Sequence, residues 1–441
     1  MKNIDSELFN EYQKLSKGNL GKDLSFLKML FIGLLNSQKD VELTPLNGML
    51  LNYFADIIKA RKQGTPTIIH PFNYEPELFY AMNSMPIMLE TISVGIAPFG
   101  MNQPYIDFAN KMGYGDNPTL CNAQRPFISL LMQGAAPLPD LLFYLSTPCN
   151  SLSMSYQVFQ DKSKIPTFNL DIPYWAYNQV NNYYDNEILD YIINQTKNCI
   201  SWVENNTKLT FNQQKFQQTM QWCNQARAYI LEFNELLQTV PCPVTSATGM
   251  TNFQAMVLRG GTIDGVEVTR SMRDMAAYNV KNGIAGVPDE KIRIAWPYTH
   301  VFFDATLLTW IENTFNAVVI MDLLGHYKVL PHDTSTIENC FQSLAMGTLD
   351  ASMVGKCRGP IEYYIEYMIN FIKDYKIDCV IMPMHFACKH VYLMGQVTSE
   401  AIKEETGIPT LIFSCDSYDS REVTSEEIKG RISDFLTQIV I

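Results

Sequence analysis

The amino-terminal stretch of the chain carries apolar residues at helical spacing. Apolar side chains that recur every three to four residues lie on one face of a helix. Two such sets occur between Ser6 and Arg61: Leu27, Leu30, Phe31 and Leu34, followed by Leu50, Tyr53, Phe54 and Ile57. We therefore predict that residues 1–63 form an amino-terminal helical segment.

The pattern changes at Gly64 to short apolar runs that are closed by proline or glycine. Stretches with helical spacing separate these runs. This alternation is typical of a parallel sheet whose strands are connected by helices. The runs are Thr67–Ile69, Leu141–Leu145 and Thr167–Leu170. We predict a first α/β domain over residues 64–173.

The remainder of the chain repeats this change of pattern. Residues 174–285 are polar, rich in asparagine and glutamine, and have a long helical period, which predicts a helical connecting block. Apolar runs then resume, and we predict a second α/β domain over residues 286–441. Those runs are Ile292–Trp296, Ala317–Met321, Cys379–Met382 and Thr410–Phe413. The predicted fold class is α/β, with two Rossmann-like or flavodoxin-like parallel-sheet domains.

The two α/β regions share one local plan. In each, an aspartate opens an apolar strand, a cysteine follows the strand, a helical pattern comes next, and Ile-Pro-Thr opens the next strand. The aspartates are Asp140 and Asp378, and the cysteines are Cys149 and Cys388. Loops at the carboxyl ends of strands are where open α/β sheets bind ligands. Two facing domains would therefore direct both cysteines at one cleft.

Composition and charge exclude several classes of function. The chain has 441 residues, 47% of them hydrophobic, and a formal net charge of −12. Binding to nucleic acid or to an anionic membrane needs a surplus of Lys and Arg, which no stretch supplies. The amino terminus lacks a secretory signal pattern, and no run reaches the roughly 18 apolar residues of a membrane span. We expect a cytoplasmic protein without a nucleic-acid or membrane partner.

The ten cysteines are scattered rather than spaced as a disulfide framework. Most are expected to be core residues, because free cysteine is among the most buried residue types. Cys121 differs, since it precedes an apolar helical pattern and a helix dipole stabilises a thiolate at that position. On local chemistry alone, Cys121, Cys149 and Cys388 are equally explained as metal ligands and as core residues. The expected core cysteines are Cys199, Cys223, Cys340 and Cys379.

Two other chemistries are compatible with the residues around Cys388. His385, Cys388 and His390 could bind zinc, although three ligands on so short a loop would be strained. Cys388 beside two histidines could also be an activated nucleophile. Nucleotide binding is not indicated, because Gly355-Lys356 lacks the remaining residues of a phosphate-binding loop.

The motifs together resemble the 2-hydroxyacyl-CoA dehydratase and class I benzoyl-CoA reductase family, from about Gly64 to the carboxyl terminus. Each motif alone is weak, but their shared order is specific. The matching motifs are Cys121 in its Asn-Ala-x-Arg context, the Pro-Asp-Leu-Leu strand leading to Cys149-Asn, the Asp171-Ile-Pro-Tyr174 turn, Cys388-Lys, and the Gly407-Ile-Pro-Thr segment followed by Asp416, Asp419 and Arg421.

The resemblance implies a cofactor, a reaction and partners. In the family, the three matching cysteines bind a 4Fe-4S cluster between α/β domains, which assigns that role to Cys121, Cys149 and Cys388. The family's dehydratases eliminate water from an (R)-2-hydroxyacyl-CoA through a ketyl radical and yield an enoyl-CoA. Three thiolates leave one iron free to act as a Lewis acid. The implied partners are the acyl-CoA substrate, a homologous second subunit and a separate ATP-dependent iron–sulfur activator.

The chain departs from the family at the end of its first predicted strand. Many dehydratase subunits have a serine-rich stretch there, whereas this chain has Ile69-His70-Pro71-Phe72. His70 is therefore a candidate proton donor, and so is His385, and both are also compatible with a structural role. Two alternatives within the family are a reductase of the benzoyl-CoA type and a homodimeric double-cubane reductase. A third is a noncatalytic iron–sulfur accessory protein.

Overall fold

The computed structural model of the chain describes residues 41–115, 120–133, 138–175, 184–322 and 324–440. The first predicted set of helical residues, Leu27 to Leu34, lies outside this part of the chain. The second set forms helix α1, Thr44–Gln63, which buries Leu50 and Tyr53. It ends at Gly64, where φ is +68°, a backbone conformation that glycine adopts readily.

The first α/β region is built on a four-stranded parallel sheet. Its strands are β1 (Thr67–Ile69), β2 (Met85–Ile87), β3 (Leu141–Leu145) and β4 (Thr167–Leu170), in the spatial order β2-β1-β3-β4. Strands β1, β3 and β4 coincide with the predicted apolar runs. The connecting helices are α2 (Glu77–Ala81), α3 (Glu90–Ile96), α4 (Gln103–Ala109), α5 (Arg125–Met132) and α6 (Asn150–Ser163).

Four helices follow the first sheet, in agreement with the predicted helical connecting block. Asp185, Asn212 and Thr262 cap three of them by accepting hydrogen bonds from backbone N–H groups of the first turn. The helices are α7 (Asn186–Asn206), α8 (Gln213–Leu236), α9 (Thr251–Arg259) and α10 (Ile263–Asn282).

The second sheet repeats the arrangement of the first. Its strands are β5 (Ile292–Trp296), β6 (Ala317–Asp322), β7 (Cys379–His385) and β8 (Thr410–Cys415), all parallel in the order β6-β5-β7-β8. If β5 to β8 are matched with β1 to β4, the two spatial orders are identical. The helices are α11 (Leu307–Phe315), α12 (Ile337–Asp350), α13 (Ser352–Cys357), α14 (Ile361–Asp374), α15 (Lys389–Thr406) and α16 (Ser425–Val440).

The aspartates just before β3 and β7, Asp140 and Asp378, make equivalent hydrogen bonds in the two sheets. The Asp140 carboxylate accepts a hydrogen bond from the Thr67 backbone N–H at 2.7 Å, which fixes β3 against β1. The Asp378 carboxylate accepts one from the Arg293 N–H at 2.8 Å, which fixes β7 against β5. The repeated plan in the sequence is therefore a repeated structural unit.

The central strands of both sheets are buried on both faces, which accounts for their continuous apolar sequences. All residues of β3, β5 and β7 are buried. Within the described residues, no helix is both long enough and apolar enough to cross a membrane. The domain boundaries at residues 63, 173 and 285 stay predictions.

A buried ion pair joins the two halves of the molecule. Arg227 on α8 lies 2.8 Å from the Glu75 carboxylate and 3.7 Å from that of Glu77. The Tyr327 hydroxyl, from the loop after β6, donates a hydrogen bond to Glu75. A Cβ atom on Gly347 would come within 2.4 Å of the Arg227 guanidinium, so α12 approaches this side chain closely only because glycine is there.

Replacing Arg227 by methionine is expected to lower the free energy of unfolding by about 3–5 kcal/mol, because Glu75 would be left buried without its counter-charge. Arg270→Met is the matched control, since its pair with Glu267 is exposed and is worth about 0.5 kcal/mol. Urea unfolding of both variants measures the difference. Equal, small losses would show that the buried pair contributes no more than an exposed one.

Candidate functional site

Cys121, Cys149 and Cys388 line a single cavity of about 90 Å³. They come from the loop before α5, the loop after β3 and the loop after β7. The cavity therefore lies at the carboxyl ends of both sheets, where open α/β folds bind their ligands. The structure brings together three residues that are 28 and 239 positions apart along the chain.

Cys149 and Cys388 occupy equivalent positions. Each is the residue immediately before a helix, α6 or α15, and their backbone angles agree closely: φ −93° and ψ 100° for Cys149, φ −90° and ψ 97° for Cys388. The Leu152 N–H donates a hydrogen bond to the Cys149 sulfur at 3.4 Å. Both sulfurs therefore belong to residues at a helix amino terminus, where the helix dipole favours negative charge.

Cys121 is held by contacts with both domains. Its backbone N–H donates to the Ser151 hydroxyl at 2.8 Å, which ties its loop to α6. The side-chain amide of the next residue, Asn122, donates to the Asp416 carboxylate at 2.9 Å, which ties the loop to the end of β8. Asp416 is buried and also accepts hydrogen bonds from the backbone N–H groups of Tyr418 and Asp419. Asp416 is thus a positioning residue for Cys121.

The three thiols are electrostatically coupled. Burial raises the pKa of Cys121 to about 11, with a further increase from the neighbouring Cys388. Burial also raises the pKa of Cys149 well above its usual value, and Cys121 and Cys388 add to this effect. Three thiolates in so apolar a cavity would need positive charge among them, which bound metal would supply.

The spacing of the sulfur atoms does not suit one metal ion. The sulfurs of Cys121, Cys149 and Cys388 do not all lie within 4.8 Å of one another. A single tetrahedral ion with metal–sulfur bonds of about 2.3 Å would bring every sulfur pair closer than that. A cluster of several irons has its ligands farther apart, so the cavity cysteines fit a cluster better than a mononuclear site.

In the described part of the chain, the group that does have its ligand atoms within 4.8 Å of one another is Glu75, Glu77 and Cys223. The guanidinium of Arg227 already provides the positive charge between the two carboxylates. A divalent cation beside a buried guanidinium would be repelled, so this group is an ion-pair cluster rather than a metal site. His385, Cys388 and His390 do not converge within that distance, and the zinc alternative is not supported.

The cysteines expected in the core are found there. Cys199, Cys223, Cys340 and Cys379 are fully buried, and none of them lines the cavity. The expectation that these four are core residues, based on the general tendency of free cysteine to be buried, is confirmed.

His385 lies at the cavity with the cysteines. Its Nδ1 accepts a hydrogen bond from the Ser417 N–H at 3.3 Å, which leaves the proton of the neutral ring on Nε2. Burial lowers the pKa of His385 in spite of the nearby Asp416, so the ring is neutral at neutral pH. Nε2 is buried and has no hydrogen-bond partner among the described residues. A neutral N–H donor is therefore available at this site.

His70 does not line the cavity, although Phe72, two residues later, does. The His70 ring is fully buried, its Nδ1 lies 3.2 Å from the Pro71 carbonyl oxygen, and burial lowers its pKa to about 4. The ring is therefore neutral. Its role as a proton donor stays a prediction. The complete burial of His70, at the start of the loop after β1, is equally consistent with a structural role.

Glu90 is a site residue that the sequence reasoning missed. It begins α3, lines the cavity and is only 4% exposed. Burial raises the pKa of its carboxyl group to about 7, and the neighbouring Gln124 amide lowers it slightly. Neither oxygen has a hydrogen-bond partner of normal geometry in the described part of the chain. A carboxyl group that titrates near neutral pH in a cleft is a candidate general base.

A signal for Glu90 was present in the sequence. The apolar stretch Met85 to Leu89 leads directly into it. Reading that stretch as a strand would have placed Glu90 just beyond a strand end, beside the cysteines.

Known proteins resemble this chain over most of its length. Residues 71–439 match the family model described as 2-hydroxyglutaryl-CoA dehydratase, D-component. The lactoyl-CoA dehydratase subunit alpha of Anaerotignum propionicum is 21% identical over 81% of this chain and 86% of its own length. The (R)-phenyllactyl-CoA dehydratase alpha subunit of Clostridium sporogenes is 20% identical over 85% of this chain and 90% of its own.

A third relative, the (R)-2-hydroxyglutaryl-CoA dehydratase subunit alpha of Acidaminococcus fermentans, is 22% identical. The match covers 68% of this chain and 60% of that protein. The three relatives act on acyl groups that differ in size and charge, so identity near 20% does not indicate which acyl group this chain would take.

Proposed function

Because the chain belongs to the family of the 2-hydroxyglutaryl-CoA dehydratase D-component, we propose that it is a catalytic subunit of a dehydratase for (R)-2-hydroxyacyl-CoA thioesters. The observation that carries the proposal is the convergence of Cys121, Cys149 and Cys388 on one cavity that Glu90 and His385 also line. Removal of water from C2 and C3 of the thioester needs a group that accepts a proton and a group that assists the departing hydroxyl.

In this proposal the three cysteines hold a 4Fe-4S cluster. Such a cluster, when bound, would supply one electron and a Lewis acid at the iron that has no protein ligand. The fit rests on the coupled thiols, the sulfur spacing and the two helix starts at Cys149 and Cys388.

Two side chains at the cavity would accept the substrate proton and donate a hydrogen bond to the reacting group. The Glu90 carboxylate is proposed to accept the C3 proton of the substrate, because its pKa of about 7 lets it bind and release a proton at neutral pH. His385 is proposed to donate a hydrogen bond from Nε2 to the reacting group. Both residues are buried, which excludes water and strengthens their interactions with the substrate.

We further propose that two protein partners complete the enzyme. The relatives in A. propionicum and C. sporogenes are named alpha subunits, which supports a homologous second subunit for this chain as well. The sequence has no phosphate-binding loop, so the electron would come from a separate ATP-dependent iron–sulfur activator.

The test is turnover with the complete system. We expect the iron-reconstituted chain, with its second subunit, an activator and ATP under anaerobic conditions, to convert at least one (R)-2-hydroxyacyl-CoA of a panel into the enoyl-CoA. Mass spectrometry would detect the loss of one water. A preparation with full iron content that dehydrates no member of the panel would favour the reductase or accessory alternatives.

A further inference from the structure

The cavity that holds the three cysteines has an apolar wall. Beyond the cysteines, the side chains that line it are mostly aromatic or sulfur-containing. They come from the loop after β1, the start of α3, the start of α9, the loop after β5 and helix α13. Six of them are Phe72, Met88, Met250, Phe253, Phe302 and Met353.

The polar groups at the cavity carry no fixed positive charge. No lysine or arginine is among the described residues that line it. Its titratable polar groups other than tyrosine and cysteine are Glu90, which is acidic, and His385, whose ring is neutral. Any thiolates at Cys121, Cys149 and Cys388 would be compensated by the bound metal. The side chains that line the cavity therefore offer no counter-charge to a carboxylate in the acyl group.

Two arginines of neighbouring segments line a different cavity. Arg125 and Arg421 line a separate polar cavity of about 450 Å³, together with Asn122 of the Cys121 loop. Arg421 is ion-paired there with Asp419 and Asp107, at 2.6 and 2.9 Å. Arg125 interacts electrostatically with Cys121 and His385, but neither arginine lines the apolar wall.

We propose that the acyl group this site takes is uncharged and apolar, with an aliphatic or aromatic tail, and that thioesters whose tail ends in a carboxylate are excluded. This inference rests on the proposed function, because it assumes that the acyl group lies in the cavity with the cysteines. A carboxylate tail would be buried without a counter-charge, which is strongly unfavourable. Methionine side chains are flexible, so Met88, Met250 and Met353 can adapt to branched and aromatic tails.

Binding of unreactive ligands separates this inference from catalysis. We would titrate the anaerobic, iron-reconstituted full-length chain, in complex with its second subunit, with acyl-CoA thioesters that lack the 2-hydroxyl group. The probes are 4-methylpentanoyl-CoA, 3-phenylpropanoyl-CoA, glutaryl-CoA and the neutral terminal amide of glutaryl-CoA. Calorimetry gives each dissociation constant, and free CoA gives the contribution of the nucleotide alone.

We expect the two apolar thioesters to bind at least about 100-fold more tightly than glutaryl-CoA, with the neutral amide between them. The amide has nearly the shape of glutaryl-CoA, so the difference between those two isolates the charge. Glutaryl-CoA binding as tightly as the apolar thioesters would overturn the inference and leave the proposed function intact. If no thioester binds more tightly than free CoA, the inference and the proposed function both fail.

A substitution that adds a positive charge to the cavity tests whether the missing counter-charge excludes carboxylate tails. Met250→Lys places a cation at the edge of the cavity, where residue 250 is only partly buried, and Met250→Leu is the matched control. We expect Met250→Lys to bind glutaryl-CoA about 10-fold more tightly than Met250→Leu does. An unchanged ratio between glutaryl-CoA and 4-methylpentanoyl-CoA, in a variant with normal iron content, would contradict the proposal.

Discussion

Replacing Cys121, Cys149 or Cys388 by alanine is expected to abolish stable iron binding, whereas the unmodified chain should retain about four irons after anaerobic reconstitution. Each of these cysteines would provide one of only three protein ligands, so the loss of one leaves two irons without a protein sulfur. The measurements are iron and acid-labile sulfide per chain, together with the visible absorption of the cluster.

The controls for these variants are two cysteines that do not line the cavity. Cys199→Ala and Cys379→Ala remove fully buried thiols from α7 and β7 and should leave the iron content unchanged. A folded Cys149→Ala protein with full iron content would contradict the ligand assignment. About eight irons per unmodified chain would favour the double-cubane alternative.

Glu90→Gln is expected to lower the dehydration rate by about 10²- to 10⁴-fold while the iron content stays unchanged. Glutamine preserves the shape of the side chain but cannot accept a proton. The rate of the unmodified enzyme should rise with pH through about 7, because only the deprotonated Glu90 can act as a base. The variant should lose this rise.

The same titration predicts an effect on stability that does not depend on turnover. The pKa of Glu90 is higher in the folded protein, about 7, than its ordinary value of 4.5. The folded state therefore binds more protons between these values, and stability should fall as pH rises across that window. Glu90→Gln should remove this contribution.

Glu77→Gln is the matched control, because Glu77 is also a buried carboxyl group but does not line the cavity. Burial and the neighbouring Glu75 raise the pKa of Glu77 well above its usual value, so glutamine mimics its protonated form. An equal loss of rate and the same change in pH profile in both variants would argue against a specific role for Glu90.

Seven of the eight strands follow from the sequence because buried parallel strands are continuous apolar runs. Strand β2, Met85–Ile87, was not predicted. It has only three residues and contains Pro86, which interrupts the strand pattern. It is stabilised by parallel pairing with β1, a contact between elements that no local pattern records.

The order of aspartate, apolar strand, cysteine and helix occurs twice in the sequence, and it predicted equivalent positions at strand ends for Cys149 and Cys388. The nearly identical backbone angles at the two cysteines, and the equivalent bonds of Asp140 and Asp378, confirm that position. Cys121 was different, since its place beside the other two depends on the bonds of its loop to Ser151 and Asp416. Only its family resemblance assigned it in advance.

The sequence by itself determined the α/β class, the strands of both sheets except β2, and the strand-end positions of Cys149 and Cys388. The spacing of apolar residues, and the proline and glycine residues that end the apolar runs, are local features that extend over only a few residues. The tertiary structure decided that Cys121 joins them, that His385 lines the cavity while His70 does not, and that the buried Glu90 carboxylate has no hydrogen-bond partner among the described residues. Burial arises only when distant segments meet, and it is burial that raises the pKa of Glu90 to about 7.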